Sequence, residues 1–167
     1  GTPDDTSDDI TNAATVSTVE DTPHTFSADD FNFTDIDTDD TLASVTITSL
    51  PDKGTLTLNG TEVTLDTPIA MADFGNLVYT PLDDENGEGY TSFAYPVSDG
   101  ELDRPAATMT INVTPDNDAP VVSAIADSKT EDEASFDTDL LFGQTDPDGD
   151  TLSVSGTPII TAIDGNG

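Results

Sequence analysis

Apolar and polar residues alternate along most of this chain with a period of two. Val45 and Ile47 interleave with Thr46 and Thr48 in a run that opens at Leu42 and Ser44. Such alternation predicts half-buried strands, because successive side chains of a strand point to opposite faces. Leu56-Thr57-Leu58 and Val63-Thr64-Leu65 flank Asn59-Gly60, a dipeptide that favours the positive φ angles of a tight hairpin. Leu77-Val78-Tyr79-Thr80 predicts another strand, and an early one covers residues 14–18. Phe93-Ala94-Tyr95-Pro96-Val97 is expected to pair with Ala107-Thr108-Met109-Thr110-Ile111-Asn112-Val113 across a turn at Ser98-Asp99-Gly100. A helical turn is expected only over residues 69–74. Seven short strands punctuated by Gly, Pro and Asp predict an all-β sandwich.

The chain also repeats itself. Glu20-Asp21 recurs as Glu131-Asp132, Phe31 as Phe142, and Asp35, Asp37 and Asp39 as Asp146, Asp148 and Asp150. Each second member lies 111 residues after its first. The register then slips by one, so that Thr41-Leu42 matches Thr151-Leu152. Residues 1–10 read as a linker or the tail of a preceding repeat, and residues 11–118 as one full repeat. Residues 119–167 read as the N-terminal part of a second repeat, truncated or split. Half of a sandwich cannot cover both faces of its sheet, so that part is expected to need a complement.

Composition sharpens this picture. The 167 residues hold 35 acids against 3 Lys+Arg, a formal net charge of −32. Three cations cannot neutralise a phosphate backbone, so nucleic acid is excluded as a partner. An anionic membrane surface would repel the chain, and no apolar run is long enough to insert in a bilayer. With no Cys, disulfides, thiolate zinc sites and a thiol nucleophile are also excluded, and the single His, His24, leaves no pair for a zinc site and argues against His-based catalysis. High charge and a hydrophobic fraction of 34% would ordinarily indicate disorder, but the period-two runs contradict it.

The acids therefore need a reason, since such a charge repels itself in a compact state. They cluster at expected turns: residues 35–40, 83–85, 99–101, 116–118 and 146–150. Calcium takes six to eight oxygen ligands from carboxylates, carbonyls and water. Alternating Asp-x-Asp in an extended loop would point two carboxylates to one side. The loops are not EF-hands, because the sixth and twelfth positions from Asp35 are Asp40 and Thr46 rather than Gly and Glu. A calcium site would have to be assembled from separate loops.

Several of these segments resemble motifs of the cadherins. Asp35-Ile36-Asp37 resembles the DxD motif. Leu82-Asp83-Asp84-Glu85, with Tyr90 five residues past the Glu, resembles the LDRE-xxxx-Y element. Residues 94–100 resemble the AxDxG segment with Asp99 as its Asp, and Asp116-Asn117-Asp118-Ala119-Pro120 resembles the DxNDNxP linker. The chain is more similar still to the cadherin-like and Ig-like tandem repeats of giant bacterial adhesins of the RTX type. Pro51-Asp52-Lys53-Gly54-Thr55-Leu56, Leu77-Val78-Tyr79-Thr80-Pro81 and Ser98-Asp99-Gly100 carry that similarity. Departures are that Asp84 stands where the cadherin motif has Arg, that the linker lacks its second Asn, and that Gly100 comes one residue early.

The resemblance implies a seven-stranded Greek-key sandwich with Ca2+ at the junctions of consecutive repeats. One junction would use Glu20 or Asp21, Asp83 and Glu85, then Asp116, Asn117 and Asp118 of the linker, and Asp146 and Asp148. The other would use Asp35, Asp37 and Asp99 with acids such as Asp8 or Asp9. It further implies a non-enzymatic extender module of a secreted adhesin at the bacterial cell surface, acting in cell adhesion and biofilms. Its partners would be neighbouring repeats of the same chain, with host or surface glycans or peptides bound through other domains. The alternative implied is a ligand-binding region of the same adhesin, with a binding domain inserted in the split second repeat.

Plainer readings stand beside these. Asp52, Asp66, Asp73 and Asp103 are expected to be solvated turn residues. The pair Asp83/Glu85 could do glycosidase-type acid–base work, but nothing else in the sequence assembles a cleft. The Thr-x-Thr pairs at 46/48, 55/57 and 108/110 are ordinary strand propensity rather than a flat ligand surface. Tyr79, Tyr90, Tyr95, Phe31, Phe33, Phe93 and Phe142 are expected in the core.

Overall fold

The computed structural model describes residues 10–11, 13–34, 42–100, 105–125 and 139–155. It divides into two compact units, residues 1–116 and 117–167. The first unit is all-β. Its strands are β1 (Ile10–Thr11), β2 (Ala14–Val19), β3 (His24–Thr25), β4 (Phe33–Thr34), β5 (Ser44–Thr46), β6 (Thr55–Leu58) and β7 (Thr61–Glu62). Then come β8 (Pro68–Ala70), β9 (Leu77–Thr80), β10 (Gly87–Tyr95), β11 (Val97–Ser98) and β12 (Ala107–Thr114). Two short 3-10 turns, Ala28–Phe31 and Met71–Asn76, interrupt them. The second falls where the sequence predicts its one helical turn.

Among the described residues these strands form four sheets, with strand orders β1-β4, β10-β12-β2, β11-β5-β8 and β3-β9-β6-β7. The predicted pairing of β10 with β12 is present and antiparallel, with Phe93 opposite Met109. Pro96 separates β10 from β11. Its ring nitrogen cannot donate to a ladder, while its carbonyl accepts from Thr46 N at 3.0 Å. The chain thereby leaves the sheet of β12 and joins that of β5. The hairpin at Asn59-Gly60 has φ of 53° and 76° at its two central residues, as the dipeptide predicts. Its second strand is shorter than the alternation suggested. Only Thr61 and Glu62 pair as a strand, and Val63 keeps one bond to the Leu56 carbonyl before Asp66 turns the chain at φ 57°.

Alternation becomes burial in the expected way. Ala14, Val16 and Thr18 of β2 face inward, as do Ala107, Met109, Ile111 and Val113 of β12, and the residues between them face out or lie half-buried. At the centre sits an aromatic cluster. Phe31 lies 5.6 Å from Phe26, 5.0 Å from Phe74 and 5.2 Å from Tyr95 between ring centroids. Among the described residues, every buried apolar side chain belongs to this unit.

Sequence periodicity does not show one pairing that matters for function. β2 lies parallel to β12, with Ala14 opposite Met109 and Val19 opposite Thr114. Two parallel strands in register leave their sheet at the same end. Glu20 and the residues after Thr114 are therefore neighbours, and Glu20 N donates to the Thr114 carbonyl at 2.9 Å.

The second unit has one isolated antiparallel bridge, Val121 to Thr145, and hydrogen-bonded turns at residues 139–144 and 146–149. Phe142, expected in the core, is 77% exposed. That expectation is corrected: in the first unit the aromatic at the matching place is covered by later strands, and no described element of the second unit does this.

Candidate functional site: the acidic pole

The end of the first unit where β2 and β12 leave their sheet gathers carboxylates from three stretches of chain. Glu20 follows β2, residues 83–86 lie in the loop between β9 and β10, and Asp116 follows β12. Glu20 is the buried acid, only 2% exposed. Its Oε1 accepts from Asp116 N at 2.6 Å and its Oε2 from Asn86 Nδ2 at 2.9 Å. A buried carboxylate persists when donors satisfy both oxygens. Around it Thr18 Oγ1 donates to the Thr22 carbonyl at 2.7 Å and Thr114 Oγ1 to the Thr18 carbonyl at 3.2 Å, which holds the turn after β2.

Asp21, the next residue in the chain, and Asp84 are both exposed. Each takes a positive φ, 58° and 55°, which Asp tolerates better than most residues. Asp84 N donates to Asp21 Oδ1 at 3.2 Å, and each carboxylate places an oxygen within 4.8 Å of the other. Like charges so close repel, and a cation between them would remove the penalty. Asp83, expected as a ligand, is an exposed residue of the same loop.

Glu85 is engaged elsewhere. Lys53 Nζ lies 2.7 Å from its Oε2, and Tyr90 Oη donates to the same oxygen at 2.9 Å. Lys53 also sits 4.7 Å from the centre of the Tyr90 ring. Hydrogen bonds from Lys53 and Tyr90 hold the Glu85 carboxyl below its usual range. Lys53 is the one Lys or Arg among the described residues, so the nearest carboxylate that reaches it forms an ion pair. Asp52 behaves as the turn residue expected. Thr91 Oγ1 donates to its Oδ1 at 2.6 Å, and that bond lowers its pKa.

The pole includes two residues that sequence reasoning missed, Asp84 and Asn86. Asp84 was visible as a member of the acidic cluster at residues 83–85 and as a departure from the cadherin pattern, but not as a ligand. Asn86-Gly87 has the look of a turn, and nothing in it foretells that the amide would cap a buried Glu.

Asp99 lies past the far end of β10, at the opposite end of the unit from Gly87. The structure thus does not bring it to the pole. Asp35 and Asp37, with Asp8 and Asp9, lie outside the described residues, as does Asp103. In the second unit, residues 146–149 form a turn rather than the extended Asp-x-Asp expected. Gly149 takes φ 75° and donates to the Asp146 carbonyl at 3.1 Å. Asp146 Oδ1 accepts from Asp148 N and Asp150 N at 3.1 and 3.3 Å, an Asx-type arrangement. Asp148 Oδ2 accepts from Asp118 N at 2.7 Å, and Asn117 Nδ2 donates to the Asp118 carbonyl at 3.0 Å.

Two results are expected from this geometry. Glu20→Ala would strand the Asp116 N–H and the Asn86 amide, at a cost of about 1–3 kcal/mol. Urea unfolding checks it, and a midpoint equal to that of the parent chain would contradict the role given to Glu20. The second concerns alkaline pH. Burial pushes Tyr95 up to about 12; burial, then the Glu85 hydrogen bond, does the same for Tyr90; burial also raises Tyr79. The ordinary value is 10.0. Between these limits the unfolded chain has lost tyrosine protons that the folded chain keeps. Stability from these groups is therefore intact below pH 10 and falls as pH rises towards 12. Denaturation midpoints at pH 9 and pH 11 should differ in that direction.

The all-β unit with an acidic end is an Ig-type module, and comparison with known proteins specifies it. The chain belongs to the family of bacterial Ig domains, which it matches over residues 5–114. No curated protein and no solved structure matches it. The family matched is a structural, adhesin-type module, and no catalytic family is indicated. Among the described residues no helix is long and apolar enough to cross a membrane.

Proposed function

We propose that the chain is an extender module of a secreted bacterial adhesin of the RTX type, and that its acidic pole takes calcium where one repeat leads into the next. The observation that carries this reading is the pole itself. A fully buried Glu20 holds the linker residue Asp116 by its N–H, and Asp21 and Asp84 crowd together outside it. The donors there, the carboxylates of Asp21 and Asp84, are oxygen, which suits a hard cation and not zinc or copper. Because Glu20 holds the linker residue Asp116, an ion bound to Asp21 and Asp84 would stiffen the chain where it leaves the unit. Glycans or peptides would be met through other domains.

An ion that binds the folded state alone stabilises it by mass action, by about 2.7 kcal/mol at a hundredfold excess over Kd. Melting of the 167-residue chain should therefore shift upward by several degrees in calcium relative to chelator, with magnesium giving a smaller shift. Identical melting curves in calcium and chelator would refute calcium binding and leave the Ig fold untouched.

A further inference from the structure

Lys53 stands on a rigid base. Its carbonyl accepts from Tyr79 Oη at 3.0 Å, and Asp52 N and Lys53 N donate to Thr91 Oγ1 at 3.2 and 3.4 Å. Tyr79 and Thr91 are both buried, so the turn before β6 is tied to the core at its main chain. The Lys53 side chain reaches from that turn to the loop between β9 and β10. Its Nζ lies 2.7 Å from Glu85 Oε2 and 4.7 Å from the centre of the Tyr90 ring. Tyr90 Oη donates to the same carboxylate oxygen at 2.9 Å.

The loop itself is weakly anchored by apolar contact. After the buried Pro81, Leu82 is 43% exposed, and Asp83, Asp84 and Asn86 are exposed too. A segment with few apolar contacts opens locally at small cost, so polar contacts decide its place. Three successive residues make such contacts, to two different places. Asp84 N donates to Asp21 and Asn86 Nδ2 to Glu20, both just after β2. Glu85, between them, is held instead by Lys53 and Tyr90. Glu20 in turn accepts from Asp116 N at 2.6 Å. A continuous series of contacts thus runs from the turn at Lys53 to the residue where the chain leaves β12.

We propose that Lys53 is a positioning residue for the linker: through Glu85 it holds residues 84–86 in place, and so keeps Asn86 on Glu20 and Glu20 on Asp116. This role goes beyond calcium binding and does not depend on it. The two partners of the ion pair are 46% and 42% exposed, and such a pair contributes little to global stability. Its effect is therefore local. Tyr90 adds to it, since its ring face attracts the ammonium and its hydroxyl donates to a charged acceptor. No other Lys or Arg among the described residues can take the place of Lys53.

The test measures amide hydrogen exchange in the full 167-residue chain, with chelator present so that no ion contributes. Lys53→Met keeps the aliphatic stem and removes the charge, and at an exposed position it leaves the chain folded. It should speed exchange of Asp84 N–H and Asp116 N–H by about threefold to tenfold, while the β12 amides of residues 109–111 change by less than about twofold. Lys53→Arg should restore the protection. In a chain that carries Glu85→Gln, adding Lys53→Met should do nothing further. Unchanged exchange at Asp116 in Lys53→Met would overturn the proposal. Equal acceleration at residues 109–111 would overturn it as well, because Lys53 would then act on the whole unit. So would an effect that persists in full beside Glu85→Gln, or one that Lys53→Arg does not relieve.

Discussion

Phe31→Ala should cost the first unit about 3–5 kcal/mol, whereas Phe142→Ala should cost less than about 0.5 kcal/mol. The two phenylalanines hold the same place in the repeat, so the difference measures tertiary cover alone. Phe31 touches Phe26, Phe74 and Tyr95, which come from three separate stretches of chain. Truncation there removes ring contacts from all three and leaves a cavity that rigid strands cannot collapse. Tyr95 loses the ring contact but keeps its acceptor, because its Oη donates to the main-chain carbonyl of residue 31, at 3.2 Å in the parent chain. Against a total stability of roughly 5–15 kcal/mol, the loss is a large fraction. Urea unfolding of both variants decides the matter. Equal shifts of the midpoint would show that Phe142 is covered in solution and that the two places are alike.

Gly54→Ala should destabilise by roughly 2–5 kcal/mol, from left-handed strain and overpacking together. Gly54 takes φ 73°, and a Cβ there would collide with the Thr80 carbonyl oxygen and with the Tyr79 hydroxyl, itself within 2.6 Å. Neither neighbour can retreat cheaply. Thr80 is held in the ladder opposite Thr55, and Tyr79 Oη donates to the Lys53 carbonyl at 3.0 Å. Gly60 is the internal control. It also has a positive φ, 76°, but its Cβ would meet nothing within 4 Å. Gly60→Ala should therefore show the backbone strain without the clash, roughly 1–2 kcal/mol. If thermal unfolding places the two variants together, close approach at Gly54 plays no part.

Much of the fold was legible because strands write a period of two into the chain. Ala107, Met109, Ile111 and Val113 all turned inward as the alternation requires. Asn59-Gly60 formed its hairpin for a local reason, the positive φ that both residues accept. The acidic pole was legible only in part. Glu20, Asp21 and Asp116 could be singled out as acids beside strands. That Glu20 would be buried with its oxygens on Asp116 N and Asn86 depends on a parallel pairing between chain segments nearly a hundred residues apart. No local pattern encodes it. The ion pair that occupies Glu85 was hidden for the same reason, since Lys53 lies in a different turn.

The sequence by itself determined the all-β class, the tight turns, the inward positions and the concentration of acid in loops. These follow from side-chain chemistry and steric limits acting over a few residues. Tertiary structure alone decided which acids meet, and which of two matching phenylalanines is covered. Both depend on strands that arrive from far along the chain. A carboxylate becomes a buried anchor, and an aromatic becomes core, only when those strands are there to pack against it.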